Sequence, residues 1–182
     1  IPMDLRHALA GLLERIVACQ EAMTAIERQL ADIAQRDTRS QRLMAASGVG
    51  LMTATAMSAG IGDFARFPSG RHLASALGLT PREYSSGGQR KLGRITKRGD
   101  VYLRTLLIHG ARSALMAAHR AKKRGQPLDR TQQWALALAE RKGHNKAVVA
   151  LANKTARRLW AAEHHGASFD PEHVSCREQQ AG

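Results

Sequence analysis

A mainly helical, all-α protein is predicted by three features of the sequence. Apolar residues repeat in heptads over the first forty residues. Helical periodicity recurs from residue 101 to residue 164, and only 4% of the residues are aromatic while alanine is abundant. Sandwiches and barrels draw on β-branched and aromatic strands, so this composition disfavours them. With 182 residues, 43% of them hydrophobic, the chain can form one compact domain plus an extension, and wholesale disorder is excluded.

The extension comes first. Leu9, Ile16, Met23 and Leu30 fall on heptad position a, and Leu5, Leu12, Cys19, Ile26 and Ile33 on position d. About four heptads of this kind meet the coiled-coil criterion. Residues 1–42 are therefore expected to be a coiled-coil linker helix, with Cys19 in its seam and a second protomer as its partner. A strict a/d stripe is narrower than the face of a helix packed inside its own chain. Six arginines and six carboxylates balance in this segment, so the formal net charge of +13 is carried downstream.

Residues 43–165 read as a compact helical domain. Helix-like residues Leu43 to Ala46 and the small apolar run Leu51 to Met57 flank Gly48-Val49-Gly50, a pattern like a helix-hairpin-helix. Glycine suits such a turn where φ is positive or another backbone comes close. The helix N-terminus that follows offers N–H groups to a phosphate, so Gly48 and Gly50 are candidate phosphate contacts. Ser69 is expected to cap a short helix ending at Leu77, with Gly78 as its left-handed stop. Residues 82–100 read as a long glycine-rich basic loop. Asp100 caps the next helix, which is expected to run to about His119, and further helices are expected near 131–141 and 145–164. Lys146, Lys154, Arg157 and Arg158 read as the basic edge of an ordinary core helix. Residues 166–182 lose periodicity and look like a disordered tail.

The charge is concentrated. Between Arg82 and Arg124 twelve Lys or Arg residues face Glu83 and Asp100, a net charge of +10. Such a cluster repels itself unless a polyanion neutralises it, which points to nucleic acid. The candidate contacts are Arg82, Arg90, Lys91, Arg94, Lys97, Arg98 and Arg104. A membrane-surface role would need bulky apolar anchors that the loop lacks. No apolar run approaches the roughly 20 residues that cross a bilayer, and the start lacks a signal peptide's regions, so a cytoplasmic location is expected. The absence of Met at position 1 suggests a segment of a longer protein. Cys19 and Cys176 form no CxxC pair. His164, His165, His173 and Cys176 are spaced too irregularly for a structural zinc site. The carboxylates are scattered, so no metal or cofactor is expected on this chain.

Several linked motifs occur in order: Ser47-Gly-Val-Gly50, Ile61-Gly-Asp-Phe64, Phe67-Pro-Ser-Gly70, Leu77-Gly-Leu-Thr-Pro81, Ser85-Ser-Gly-Gly88, Gly93-Arg-Ile-Thr-Lys-Arg-Gly99 and Leu103-Arg104. With Gly143-His-Asn-Lys-Ala147 and Ala152-Asn-Lys-Thr-Ala156, they resemble the C-terminal transposase domain of insertion-sequence family 110, particularly its 1111 subgroup. The resemblance covers residues from about 43 to 162. It implies a DNA recombinase in a bacterial, nucleoid-associated setting, guided by a structured bridge RNA. It also implies a composite active site: a serine from this domain, with acids and Mg²⁺ in a RuvC-like domain that these residues do not contain. Ser86 is the implied nucleophile because the family motif places its serine directly before a glycine, and Ser85 is the runner-up. The other reading is a non-enzymatic helix-hairpin-helix-type module that grips DNA or RNA through the same basic residues.

Overall fold

The computed structural model describes residues 2–89, 91–166 and 169–170. Helix α1 spans Met3–Arg36, 34 residues and about 50 Å at 1.5 Å per residue. Its heptad residues Leu5, Leu9, Leu12, Ile16, Met23, Ile26 and Ile33 are exposed, as is Cys19, while Leu30 is half-buried, so among the described residues most of the seam is uncovered. Only the C-terminal end of α1 enters the body, where Ala34 is buried and the helix packs on α2 (Thr38–Met44) and α3 (Leu51–Ile61). The expected single helix over 1–42 is broken at Asp37, which adopts an extended conformation. Its carboxylate accepts the N–H groups of Arg39 and Ser40 at 3.1 Å and the hydroxyls of Ser40 and Ser58 at 2.5 and 2.8 Å. These bonds, that from Ser40 foremost, hold the Asp37 pKa below its ordinary value.

The body is organised around the last helix. A short 3₁₀ turn at Phe64–Arg66 leads to α4 (Gly70–Ala76), then come α5 (Val101–Lys123), α6 (Arg130–Lys142) and α7 (His144–His165). Helices α2, α4, α5 and α6 all pack on α7. Its buried face carries Ala147, Ala152 and Ala156, small residues that let its neighbours approach, beside Val148, Leu151 and Leu159. Leu43, Met57, Leu73, Leu107 and Leu115 complete the core from the other helices.

Local sequence explains most helix ends. The Asp100 carboxylate accepts the Leu103 N–H at 2.8 Å, and Asp129 with Gln132 forms a reciprocal capping box before α6. Helix α5 continues one turn past the expected end near His119, because Arg120 to Lys123 are good helix formers and place cations at its negative pole. Ser69 stands at the start of α4, but its hydroxyl contacts His72 Nδ1 at 2.8 Å and makes no capping bond. Phe169 departs from the expected frayed tail: it packs against the core with the Arg158 guanidinium 4.3 Å above its ring. Residues 167–168 and 171–182 of the proposed tail, with His173 and Cys176, lie outside the described residues.

Residues 82–100, read from sequence as an irregular loop, contain a two-stranded antiparallel hairpin. Strand β1 (Pro81–Glu83) pairs with β2 (Leu92–Ile95), with a register shift between Pro81 and Glu83. No apolar alternation announces it, because every strand residue except Ile95 is exposed. Backbone bonds hold it, Tyr84 N–H to Lys91 O at 2.9 Å and Thr96 N–H to Thr80 O at 2.8 Å. Beneath the hairpin, Gly99 sits at φ +104, where a Cβ would lie 1.7 Å from the Ala76 carbonyl oxygen.

The two candidate turn glycines have different duties. Gly48 has φ +83, and a Cβ there would meet the Gly110 carbonyl oxygen of α5 at 2.6 Å; one on Gly110 would lie 1.9 Å from Gly48 O. The turn and α5 are thus in backbone contact. Gly50 has φ −93 and open space at its Cβ position. Gly110→Ala is expected to lower stability in urea unfolding by about 2 kcal/mol or more, as overpacked interiors do. Gly50→Ala, which changes only a helix N-cap, should cost less than about 1 kcal/mol.

Candidate nucleic-acid interface

The Ser/Gly motif forms the hairpin tip. Gly87 and Gly88 have φ of +58 and +78, and Ser86 pairs with Gln89 across them, its carbonyl accepting the Gln89 N–H at 3.1 Å. Two successive positive φ values define a tight turn matched to strand twist, which explains why two glycines stand there. The Ser85 hydroxyl is committed to the hairpin: it donates to Glu83 Oε1 at 2.6 Å and accepts the Lys91 N–H at 3.2 Å. Ser86 is exposed, and among the described residues no hydrogen bond engages its hydroxyl. The Cβ positions of Gly87 and Gly88 face open space, so a ligand backbone can approach the turn closely.

The candidate cations are dispersed along this hairpin. Arg82, Lys91, Arg94, Lys97 and Arg98 are exposed, and Arg82 Nη2 reaches Thr96 O at 3.4 Å. Lys97 is held in the left-handed region at φ +56, with its N–H on Gly78 O at 3.1 Å. Arg90 lies outside the described residues. Arg104 differs from the others because it is only 7% exposed. Its Nη1 donates to Leu77 O at 3.2 Å and Asp100 O at 3.4 Å, so this guanidinium ties α5 to the end of α4 and faces away from solvent. Its burial makes it a structural cation, unlike the exposed surface cations that the sequence groups it with.

The hairpin forms one wall of an open groove of about 1700 Å³, and α7 forms the other. Arg94 and Lys97 line it from the hairpin and Arg71 from α4, while Lys146, Lys154, Arg157 and Arg158 line it from α7. No Asp or Glu is among the described residues that line it. Asn153 Nδ2 donates to Leu79 O at 3.1 Å and ties the α7 wall to the chain that enters β1. Lys154 Nζ stands 4.5 Å over the Trp134 ring of α6. Burial, then the charges of Arg158, Arg130 and Arg157, push the Lys154 pKa down, with only Asp129 opposing them. Gly48 and Gly50 do not line the groove.

The α7 wall is not announced by the sequence. Lys146, Asn153 and Arg157 recur at steps of seven and four residues, which places them on one helix face. That stripe was visible in the sequence, but only packing shows that it faces the hairpin. Among the described residues no group of His, Cys, Asp and Glu could hold a metal ion, and no helix is long and apolar enough to cross a membrane.

The helical body thus presents a cationic groove and, on a basic hairpin beside it, an exposed serine. Residues 40–126 match the transposase IS116/IS110/IS902 family, and the chain carries a C-terminal transposase domain of that family. It is 41% identical over 161 residues to a probable family 20 transposase of Pseudomonas aeruginosa, covering 88% of this chain and 46% of that protein. It is 40% identical over 172 residues to the transposase for insertion sequence element IS1111A of Coxiella burnetii, with the same coverage of 88% and 46%. The transposase for insertion sequence element IS1328 of Yersinia enterocolitica is 34% identical over 169 residues, 93% of this chain and 49% of that protein. The chain thus spans about half the length of these curated relatives.

Replacing Arg94, Lys97 and Arg98 by Gln is expected to flatten the log-log salt dependence of DNA binding by roughly 0.7 to 0.9 for each phosphate that is no longer neutralised. Arg104→Gln should leave that slope unchanged and lower the unfolding free energy by about 1.5–3 kcal/mol, the range for buried bonds to a charged group. Salt titrations of affinity alongside urea unfolding separate the two effects.

Proposed function

We propose that this chain is the serine-bearing, nucleic-acid-binding half of a DNA transposase, acting in strand cleavage and exchange through a composite active site. The observation that carries the reading is the division of labour at the hairpin tip. Ser85 braces the turn, while Ser86 projects a free hydroxyl from a glycine turn between cations. In the reaction, Ser86 Oγ forms a bond to phosphorus as the bond to the departing sugar oxygen breaks. The serine proton passes to a base, and the leaving oxygen takes up a proton. Arg82 and Lys91 hold and neutralise the phosphoryl group. The acids and Mg²⁺ that such chemistry calls on belong, by the family resemblance, to a RuvC-like domain outside these residues. A structured guide RNA is a further partner on the same grounds.

In the full-length protein with its acidic domain, Ser86→Ala should abolish strand exchange and the covalent protein-DNA adduct while nucleic-acid binding stays nearly intact. Loss in Ser85→Ala alone would move the role by one residue. Adduct formation by Ser86→Ala at the wild-type level would refute the assignment and favour a binding module without chemistry.

We also propose that α1 assembles copies of the chain as a coiled coil. The exposed row from Leu5 to Ile33 supports this, since such a seam in water is an unfavourable apolar surface. Leu12→Asp with Ile26→Asp should reduce the sedimenting mass to that of one chain, and an unchanged species would rule out the seam as the contact.

A further inference from the structure

We infer that the groove between the hairpin and α7 is a track for an unpaired nucleic-acid strand, with bases on its apolar floor and phosphates on its cationic rim. This rests on the proposed nucleic-acid function and narrows it to one strand form at one place.

The lining is of two kinds. Arg71, Arg94, Lys146 and Arg157 are exposed cations at the edges, whereas Ile95, Ile108, Val149 and Trp134, all half-buried, contribute apolar surface between them. A duplex turns its phosphates outward and keeps its bases stacked inside, so it could use the rim and leave the floor unmatched. An unpaired strand exposes both groups, and single-strand sites combine a basic groove with aromatic platforms in this way. A groove of about 1700 Å³ holds on the order of five nucleotides, within the roughly 4–16 of known single-strand sites. None of the described residues that line the groove is a carboxylate, so a polyanion adds counter-charge along the rim.

Trp134 is the platform the geometry offers. In the free chain the Lys154 ammonium covers its ring at 4.5 Å. A bound strand can exchange that contact for two others, a base on the ring and a phosphate on the ammonium. Trp160, also in the lining, is fixed: its indole N–H donates to Phe64 O at 3.1 Å and Phe67 O at 2.9 Å, and His164 stacks on its ring. These are the two tryptophans of the chain, so indole emission reports on this groove alone.

The test uses the 182-residue chain, an oligothymidylate of about eight nucleotides and a short duplex DNA, read by tryptophan fluorescence and by gel retention. The single strand is expected to quench emission saturably and to bind at least about tenfold tighter than the duplex. Trp134→Phe should remove the quench. Lys146→Gln and Arg157→Gln, both at exposed positions, should each reduce the salt slope for the oligothymidylate by about 0.7. A chain that retains duplex DNA while the oligothymidylate leaves Trp134 emission unchanged, or binds no tighter than the duplex, would overturn this inference and leave the proposed function standing. A chain that retains neither would overturn both. Quenching by an acidic peptide in place of the oligonucleotide would reassign the groove to a protein partner.

Discussion

The packing of α7 is the constraint on which the rest of the structure depends. Four helices meet it, and its alanines at 147, 152 and 156 are wholly buried, so its azimuth about its own axis is fixed. Gly70 of α4 fixes its height as well, since a Cβ there would fall 2.7 Å from the Arg157 carbonyl oxygen. The core therefore determines which residues face away from it. Lys146, Asn153 and Arg157 occupy that opposite face as a consequence of helical geometry, and the groove lies where the core sets it. Lys154 sits at the boundary between the two faces. Its ammonium is partly desolvated and crowded by arginines, and it rests on the Trp134 ring.

The same helix anchors the extension. The Glu163 side chain is 3% exposed and receives Arg39 Nε at 3.2 Å and Arg42 Nε at 2.9 Å, so α2 is held against the C-terminal end of α7. Pairing with Glu163 raises the Arg42 pKa. A buried carboxylate paired from two sides is costly to break, because removing the arginines leaves its charge without a counter-ion. Asp37 fixes the angle at which α1 departs through its bonds to Arg39, Ser40 and Ser58. The direction of the rod is thus set by charged groups whose partners include α7. On the proposed reading, the arm that brings copies together and the groove that holds a strand are referred to one helix.

The fold was legible wherever local chemistry decided it. Asp100 and the run from Val101 onward specify a capped helix from a few residues, and the structure starts α5 there. The hairpin was illegible for a physical reason: its strands bury almost nothing, so no period-2 pattern exists, and its bonds join residues that sequence alone does not pair. Arg104 misled for the opposite reason. Its type and neighbours match the surface cations before it, and only the turn of α5 that faces Leu77 takes its guanidinium inside. Gly48 combines a positive φ with a close backbone approach, and the approaching backbone is that of Gly110, which no sequence pattern links to it. The charges on α7 were read as an edge because a helix seen alone has no neighbour to define a groove.

On the proposed reading, the hairpin tip and the groove make complementary demands on a substrate. A serine nucleophile requires one phosphodiester to be presented with its leaving oxygen opposite the attacking hydroxyl, and a rigid strand pair offers few such presentations. Gly87 and Gly88 leave open space at the turn, so the protein does not itself dictate the angle of approach. The angle must then come from how the strand is held elsewhere. Arg94 and Lys97 lie on the chain that returns from the tip and also line the groove. A strand gripped there is tied to the same element that carries Ser86, and motion of the hairpin would move the nucleophile and the strand together. Holding the reacting groups on one rigid element is the economical way to keep them in near-attack geometry. In this chain the backbone bonds at Tyr84 and Thr96 supply that rigidity.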